Sequence, residues 1–166
     1  ADIALYQGKN QGRDRAMVFC AEMAAEVEQR REVEVELQAA LDAGELYLHY
    51  QPVISCAQNR ISGVEALLRW SHPTKGAISP AKFIPIAEEA GMMPALGAYV
   101  LDRAFAETKR WPGLEVSINL SPVQFRHVDL VELLESLIVK HQVDPSRIVL
   151  EVTEGVLMES TDRNRQ

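Results

Sequence analysis

Apolar positions along this chain first follow a helical spacing and then switch between strand and helix spacing. Across 21–43 they fall at Met23, Val27, Val33, Leu37, Ala40 and Leu41, with Glu and Arg alternating on the other side. That pattern predicts a long charged helix with a narrow apolar stripe, suited to joining domains. Gly44 is placed to cap its end. Residues 46–55 and 61–70 read as strands, and the short polar CAQNR between them makes a hairpin. The segment SHPTKGAISP reads as a turn. Pro80 opens a helix that runs to 90 and stops at Gly91, and a second helix runs from about 94 to 111, stopped by Pro112 and Gly113. A strand at 115–121, a helix at 129–141, a turn at Asp144-Pro145 and a strand at 148–154 follow. Residues 1–20 read as a short helix, a Gly-containing turn and a strand, and the tail from Ser160 is polar.

After the opening hairpin, strands alternate with helices, which favours a parallel sheet covered by helices. The predicted fold class is α/β: a partial (β/α)8, TIM-like barrel with an opening antiparallel hairpin and an N-terminal connecting helix. A complete barrel takes about 200–250 residues, so about four of eight strands are expected here. The expected division is 1–20 as the remnant of a preceding domain, 21–43 as a linker helix and 44–166 as the barrel portion.

Composition narrows the classes. The chain has 166 residues, of which 47% are hydrophobic and 25% charged, which is globular rather than disordered. A net charge of −7 argues against binding a DNA or RNA polymer, but not against a small anionic ligand held through cations. Cys20 and Cys56 form no metal-spaced or disulfide pattern, so a reducing, cytoplasmic setting is expected. No apolar run approaches the ~20 residues of a membrane span, so no membrane contact is expected from this segment. The first residue is Ala, and the chain reads as a piece of a longer protein whose other parts could carry a membrane anchor.

Side chains alternate faces along a strand. In GVEALLRW, Val64, Ala66, Leu68 and Trp70 form the helix-packing face, which turns Glu65, Leu67 and Arg69 the other way. In VSINLS, Val116, Ile118 and Leu120 oppose Ser117, Asn119 and Ser121. In IVLEVTE, Ile148, Leu150 and Val152 oppose Val149, Glu151 and Thr153. Three strands thus each carry an oxygen-bearing side chain away from the helices: Glu65, Asn119 and Glu151. Two carboxylates and an amide form a ligand set for a hard divalent cation such as Mg2+ or Mn2+. A strand glutamate is also common as a plain solvent-facing residue. Periodicity leaves both readings standing.

The motifs YQPVIS (50–55), GVEALLRWSHP (63–73), FIPIAEEAG (83–91), SINLSP (117–122) and LEVTEGVLM (150–158) together resemble, in order and spacing, successive blocks of the EAL domain family. The resemblance covers about 33–158. It implies a phosphodiesterase that hydrolyses cyclic di-GMP to linear pGpG in bacterial second-messenger signalling, by two-metal catalysis with Mg2+ or Mn2+. Position by position, it implies that Glu65, Asn119 and Glu151 are metal ligands and that Glu65, Glu151 and Glu154 are catalytic, Glu154 by steadying an active-site loop. It implies that Gln51, Leu67 and Arg69 contact the dinucleotide. The Arg69 guanidinium suits a phosphate or a guanine edge by its bidentate geometry. No role falls to His49, His72, His127 or His141. The opening ADIALYQGKNQGRDR is similar to the closing segment of a GGDEF domain, the fold of diguanylate cyclases, with Gly8 and Asp14 departing from the usual residues. No cyclase chemistry attaches to it.

The family's site has a second half built around an Asp-Asp pair, and no Asp-Asp pair occurs in these residues. The expectation is that they are inactive alone, with a homodimer as one way to cover the open sheet. The alternative is a non-catalytic module that binds cyclic di-GMP or serves as an interaction surface.

Overall fold

The computed structural model describes residues 21–125 and 129–152, and among these the side chains of all but 21–27 and 29. The expected elements in 1–20, the end of the last strand and Glu154 lie outside the described residues. In chain order the elements are α1 (Ala21–Ala43), β1 (Leu46–Ser55), β2 (Arg60–His72), β3 (Gly76–Ile78), α2 (Pro80–Glu89), α3 (Met93–Glu107), β4 (Glu115–Leu120), α4 (Pro122–Phe125), α5 (Leu130–His141) and β5 (Ile148–Val152). Short 3-10 turns at Thr108–Arg110 and Pro145–Arg147 precede β4 and β5.

The strands form one sheet in the order β1-β2-β4-β5, with β3 pairing with β2. β1 runs antiparallel to β2, from Leu46 opposite Trp70 to Ser55 opposite Arg60, with an irregularity between Val53 and Ile54. β4 is parallel to β2, and β5 is parallel to β4. Each parallel step needs a crossover, and α2–α3 and then α4–α5 supply them on the sheet's apolar face. This is the expected α/β architecture, with helices packed against a partial sheet.

The structure differs from expectation at two places. SHPTKGAISP is not a plain turn: Gly76–Ile78 returns as β3 against Trp70, Ser71 and His72, so five strands are present among the described residues rather than four. Three residues show no alternation to read, and their strand conformation comes from the partner. The second long helix ends as an α-helix at Glu107 rather than near Trp111. There Thr108 Oγ1 donates to the Phe105 carbonyl at 2.8 Å, and the chain tightens into a 3-10 turn. Arg147 then staples this turn to the sheet, donating to the carbonyls of Thr108 and Trp111 at 3.0 and 2.6 Å and to that of Leu114 at 2.9 Å.

Two apolar clusters hold the fold. One joins Val33, Leu37 and Ala40 of α1 to Trp70, Phe83, Ala87 and Leu96, so the connecting helix is part of the core. Around its rim Arg30 pairs with Glu89 at 2.8 Å, and Lys75 with Glu36 at 2.6 Å. Such exposed pairs contribute less than about 1 kcal/mol each, so the apolar stripe rather than the charges fixes α1. Gly44, at φ +74, ends the helix where a side chain would be strained. The second cluster packs Val64, Ala66, Val116, Ile118 and Leu120 of the sheet against Leu101, Ala104 and Phe105 of α3 and Leu137 of α5. Tyr50 packs on Trp111 with ring centroids 4.5 Å apart, and its hydroxyl is buried without a partner. Burial first, and the nearby Glu107 charge next, push that hydroxyl well above the usual tyrosine range, so it stays neutral.

Candidate functional site

Alternation along β2, β4 and β5 sorts their side chains into two populations. Val64, Ala66, Trp70, Val116, Ile118 and Leu120 are buried against helices. Glu65, Leu67, Arg69 and Ser117 are half-buried, and Asn119 and Glu151 are exposed, on the opposite face. The strands' period thus places the expected ligand residues together on one surface.

Within that surface, Asn119 Nδ2 donates to Glu65 Oε1 at 2.7 Å, bridging β2 and β4. Asn119 stands opposite Glu151 across β4 and β5, while Glu65 stands opposite Ser117. Asn119 and Glu151 therefore sit one dipeptide, about 7 Å, further along the strands than Glu65. Gln51 of β1 is the register partner of Glu65 on the other side. Three neighbouring strands thus present Glu65, Asn119 and Glu151 as a diagonal row, with Gln51 at its flank.

Among the described residues, no ion pair with Lys or Arg neutralises Glu65 or Glu151, and no three His, Cys, Asp or Glu side chains form a cluster. The candidate donor set is two carboxylates and one amide. Its chemistry fits a hard divalent cation, which takes oxygen ligands. The amide of Asn119 now gives its Nδ2 to Glu65, and the same amide turned over offers Oδ1 toward the same point.

Leu67 and Arg69 continue the face beyond Glu65, toward the C-terminal ends of the parallel strands. Both border a cavity of about 290 Å³ that lies mainly on the helix side, walled by Leu68, Ile84, Leu96, Val100 and Leu120, with Asn119 and Ser121 also on its lining. Arg69 Nη1 donates to the carbonyl of Leu68 at 2.8 Å, which tethers the guanidinium at the cavity wall. Ligands of open α/β sheets gather at this end of the strands. Glu154 lies outside the described residues.

Sequence reasoning missed Ser121 and Gln124. Their side chains and backbones exchange hydrogen bonds at the end of β4: Ser121 N–H donates to Gln124 Oε1, and Gln124 N–H donates to Ser121 Oγ, both at 3.2 Å. This is a reciprocal cap, and the Ser-x-x-Gln spacing in SPVQ was its available signal.

Residues 34–166 match the EAL domain family. The chain is 37% identical over 167 aligned residues to the bifunctional diguanylate cyclase/cyclic di-GMP phosphodiesterase MucR of Pseudomonas aeruginosa, covering 98% of this chain and 24% of that protein. The chain thus spans about a quarter of that relative's length. The structure of the MucR phosphodiesterase in complex with c-di-GMP superposes with a TM-score of 0.76 at 37% identity, over 80% of this chain and 56% of that one. That of the EAL enzyme Bd1971 in its cGMP-bound form gives 0.74 at 32% identity, over 82% of this chain and 40% of that one. Family match, sequence identity and superposition converge: the chain belongs to the EAL domain family and is homologous to cyclic di-GMP phosphodiesterases.

Proposed function

We propose that this chain supplies the cyclic di-GMP-binding surface and the first metal-ligand set of a phosphodiesterase that opens cyclic di-GMP to linear pGpG. One observation carries the reading: Glu65 and Asn119 meet at 2.7 Å on the face turned away from the helices, with Glu151 in register beside them. Neither carboxylate is ion-paired to a Lys or Arg among the described residues, and both keep solvent contact, which leaves them open to a cation; Arg69 stands further along the same face of β2. The relatives named above, with their cyclic di-GMP activity and complex, support the same ligand.

Glu65, Asn119 and Glu151 would hold Mg2+ or Mn2+. Bound there, such an ion lowers the pKa of a coordinated water and offsets charge developing on a phosphodiester. The chain's own residues orient the substrate. Arg69 spends one N–H group on Leu68 and keeps the rest of its fork for a phosphate or a guanine edge. Leu67, half-buried on the same face of β2 as Glu65 and Arg69, offers the dinucleotide an apolar contact. Gln51, exposed beside Glu65, offers both a donor and an acceptor to the dinucleotide. By the family resemblance, Glu154 would steady the active-site loop after the strand that comes next in the family's barrel.

These 166 residues contain no Asp-Asp pair, so the second half of the ligand set must come from elsewhere, and the residues by themselves are expected to be inactive. The test is chromatographic. The complete protein with Mn2+ is expected to convert cyclic di-GMP to pGpG, and the Glu65→Ala variant to make none. Binding of cyclic di-GMP with no pGpG from either protein would replace this reading with that of a non-catalytic binding module.

A further inference from the structure

Asn119 owes its position to more than the β-ladder. β2 and β4 pair only as far as Ala66 opposite Ile118, so Asn119 lies past the last paired residue on the β2 side. There its side chain donates a hydrogen bond to Glu65. On its β2 side beyond this point β4 borders the 290 Å³ cavity, while on its other side it stays paired with β5 through Leu120.

The chain is fastened just after that gap. Gln124 and Thr108 are the buried polar residues among those described. Thr108 serves its own helix end. Gln124 instead closes a loop over the last residue of β4, through the reciprocal bonds with Ser121, and Phe125 N–H reaches the Ser121 carbonyl at 3.0 Å. Its amide head then lies on α3. A Cβ placed at Gly97 would fall onto Gln124 Nε2 and within 2.5 Å of its Cδ. Glycine inside a helix destabilises it relative to alanine, and at Gly97 the missing side chain is the space that Gln124 occupies. Gly97, Ser121, Gln124, Asn119 and Arg69 all line the one cavity.

We infer that Gln124, seated on Gly97, is a positioning residue: it clamps the end of β4, which at Asn119 and Leu120 is paired with β5 but no longer with β2, to α3 and thereby aims the Asn119 amide at Glu65. Partners that orient ligand side chains are commonly as important to a metal site as the ligands are. The inference rests on the metal reading above for only one of its two readouts.

The first readout is independent of metal. In the complete protein, the Asn119 side-chain NH2 signals are followed by 15N-resolved NMR in Gln124→Ala, Gly97→Ala and the double variant, with Thr108→Val as a control of similar burial. Gln124→Ala and Gly97→Ala are expected to shift the two Asn119 signals and narrow their separation. The double variant should do no more than either alone, because both changes remove the same wedge. Thr108→Val should lower Tm and leave the Asn119 signals in place. The second readout is Mn2+ affinity by electron paramagnetic resonance, expected to weaken about tenfold or more in Gln124→Ala and to hold in Thr108→Val. Asn119 signals unchanged in Gln124→Ala would overturn the inference, as would fully additive effects in the double variant. Absence of Mn2+ binding by the unmodified protein would overturn the metal reading, while the Asn119 signals would still decide the positioning role.

Discussion

The two faces of β2 and β4 are built from the same strands and do opposite work. On the helix side, Val64, Ala66, Val116, Ile118 and Leu120 are all buried, and Phe105 of α3 fills the space above them. On the other side, Glu65, Leu67, Arg69 and Asn119 keep some exposure and few fixed partners. A side chain moved one position along a strand changes from core to site. The difference teaches that stability and chemistry are separable here by parity. Changes on one face should be read in unfolding, and changes on the other in ligand binding.

The strongest way to break the comparison is to empty the helix side. Phe105, 1% exposed, should cost about 3–5 kcal/mol when changed to Ala, read as a lower urea midpoint. Its cyclic di-GMP affinity, measured where the protein is still folded, should stay within about twofold, since a loss confined to packing leaves the opposite face intact. A smaller effect sharpens the other side. Arg69→Lys keeps the charge and loses the fork, so cyclic di-GMP affinity is expected to fall about tenfold, or about 1.4 kcal/mol, with Tm unchanged. Equal loss of Tm and affinity in that variant would mean that Arg69 is part of the scaffold.

The smallest expected effect lies away from both faces, where α3 meets α5. Asp102 accepts from Lys140 Nζ at 2.7 Å and pairs with His141 Nε2 at 2.8 Å. Burial pushes its carboxyl up, but the bonds from Lys140 and His141 outweigh this and hold it below the ordinary value of 3.8. A depressed folded pKa means the pair stabilises the protein above the unfolded value and stops doing so as pH falls through the lower folded value. Asp102→Asn should therefore cost less than about 1 kcal/mol at pH 7, given the exposure of the pair, and nothing at the acid extreme. A stability difference that grows toward low pH in urea titrations would reverse that sign.

Much of this was legible from residue pattern because the relevant periods are short. The alternation in GVEALLRW and VSINLS alone put Glu65 and Asn119 on one face, and the apolar stripe of α1 gave its buried residues Val33, Leu37 and Ala40. What stayed hidden depends on partners that side-chain pattern along the chain does not reveal. β3 is three residues that become a strand only against Trp70–His72. Gln124 is polar and reads as surface, and its burial requires the glycine at 97 on another helix. The Ser121–Gln124 cap had a local signature, yet its link to Asn119 needed the observation that the β2–β4 ladder ends at Ile118. The stagger of Glu65 against Asn119 and Glu151 likewise came from the register between strands, which side-chain parity does not contain.

The account's central claim is that Glu65, Asn119 and Glu151 form one divalent-cation site. It is tested most directly by adding substoichiometric Mn2+ to the 15N-labelled complete protein and recording which backbone amides broaden first. The expected result is early broadening at residues 65, 119 and 151 together, abolished by Glu65→Gln. Early broadening instead at Glu32 and Glu36 of α1, with the amides of β2, β4 and β5 untouched, would contradict it.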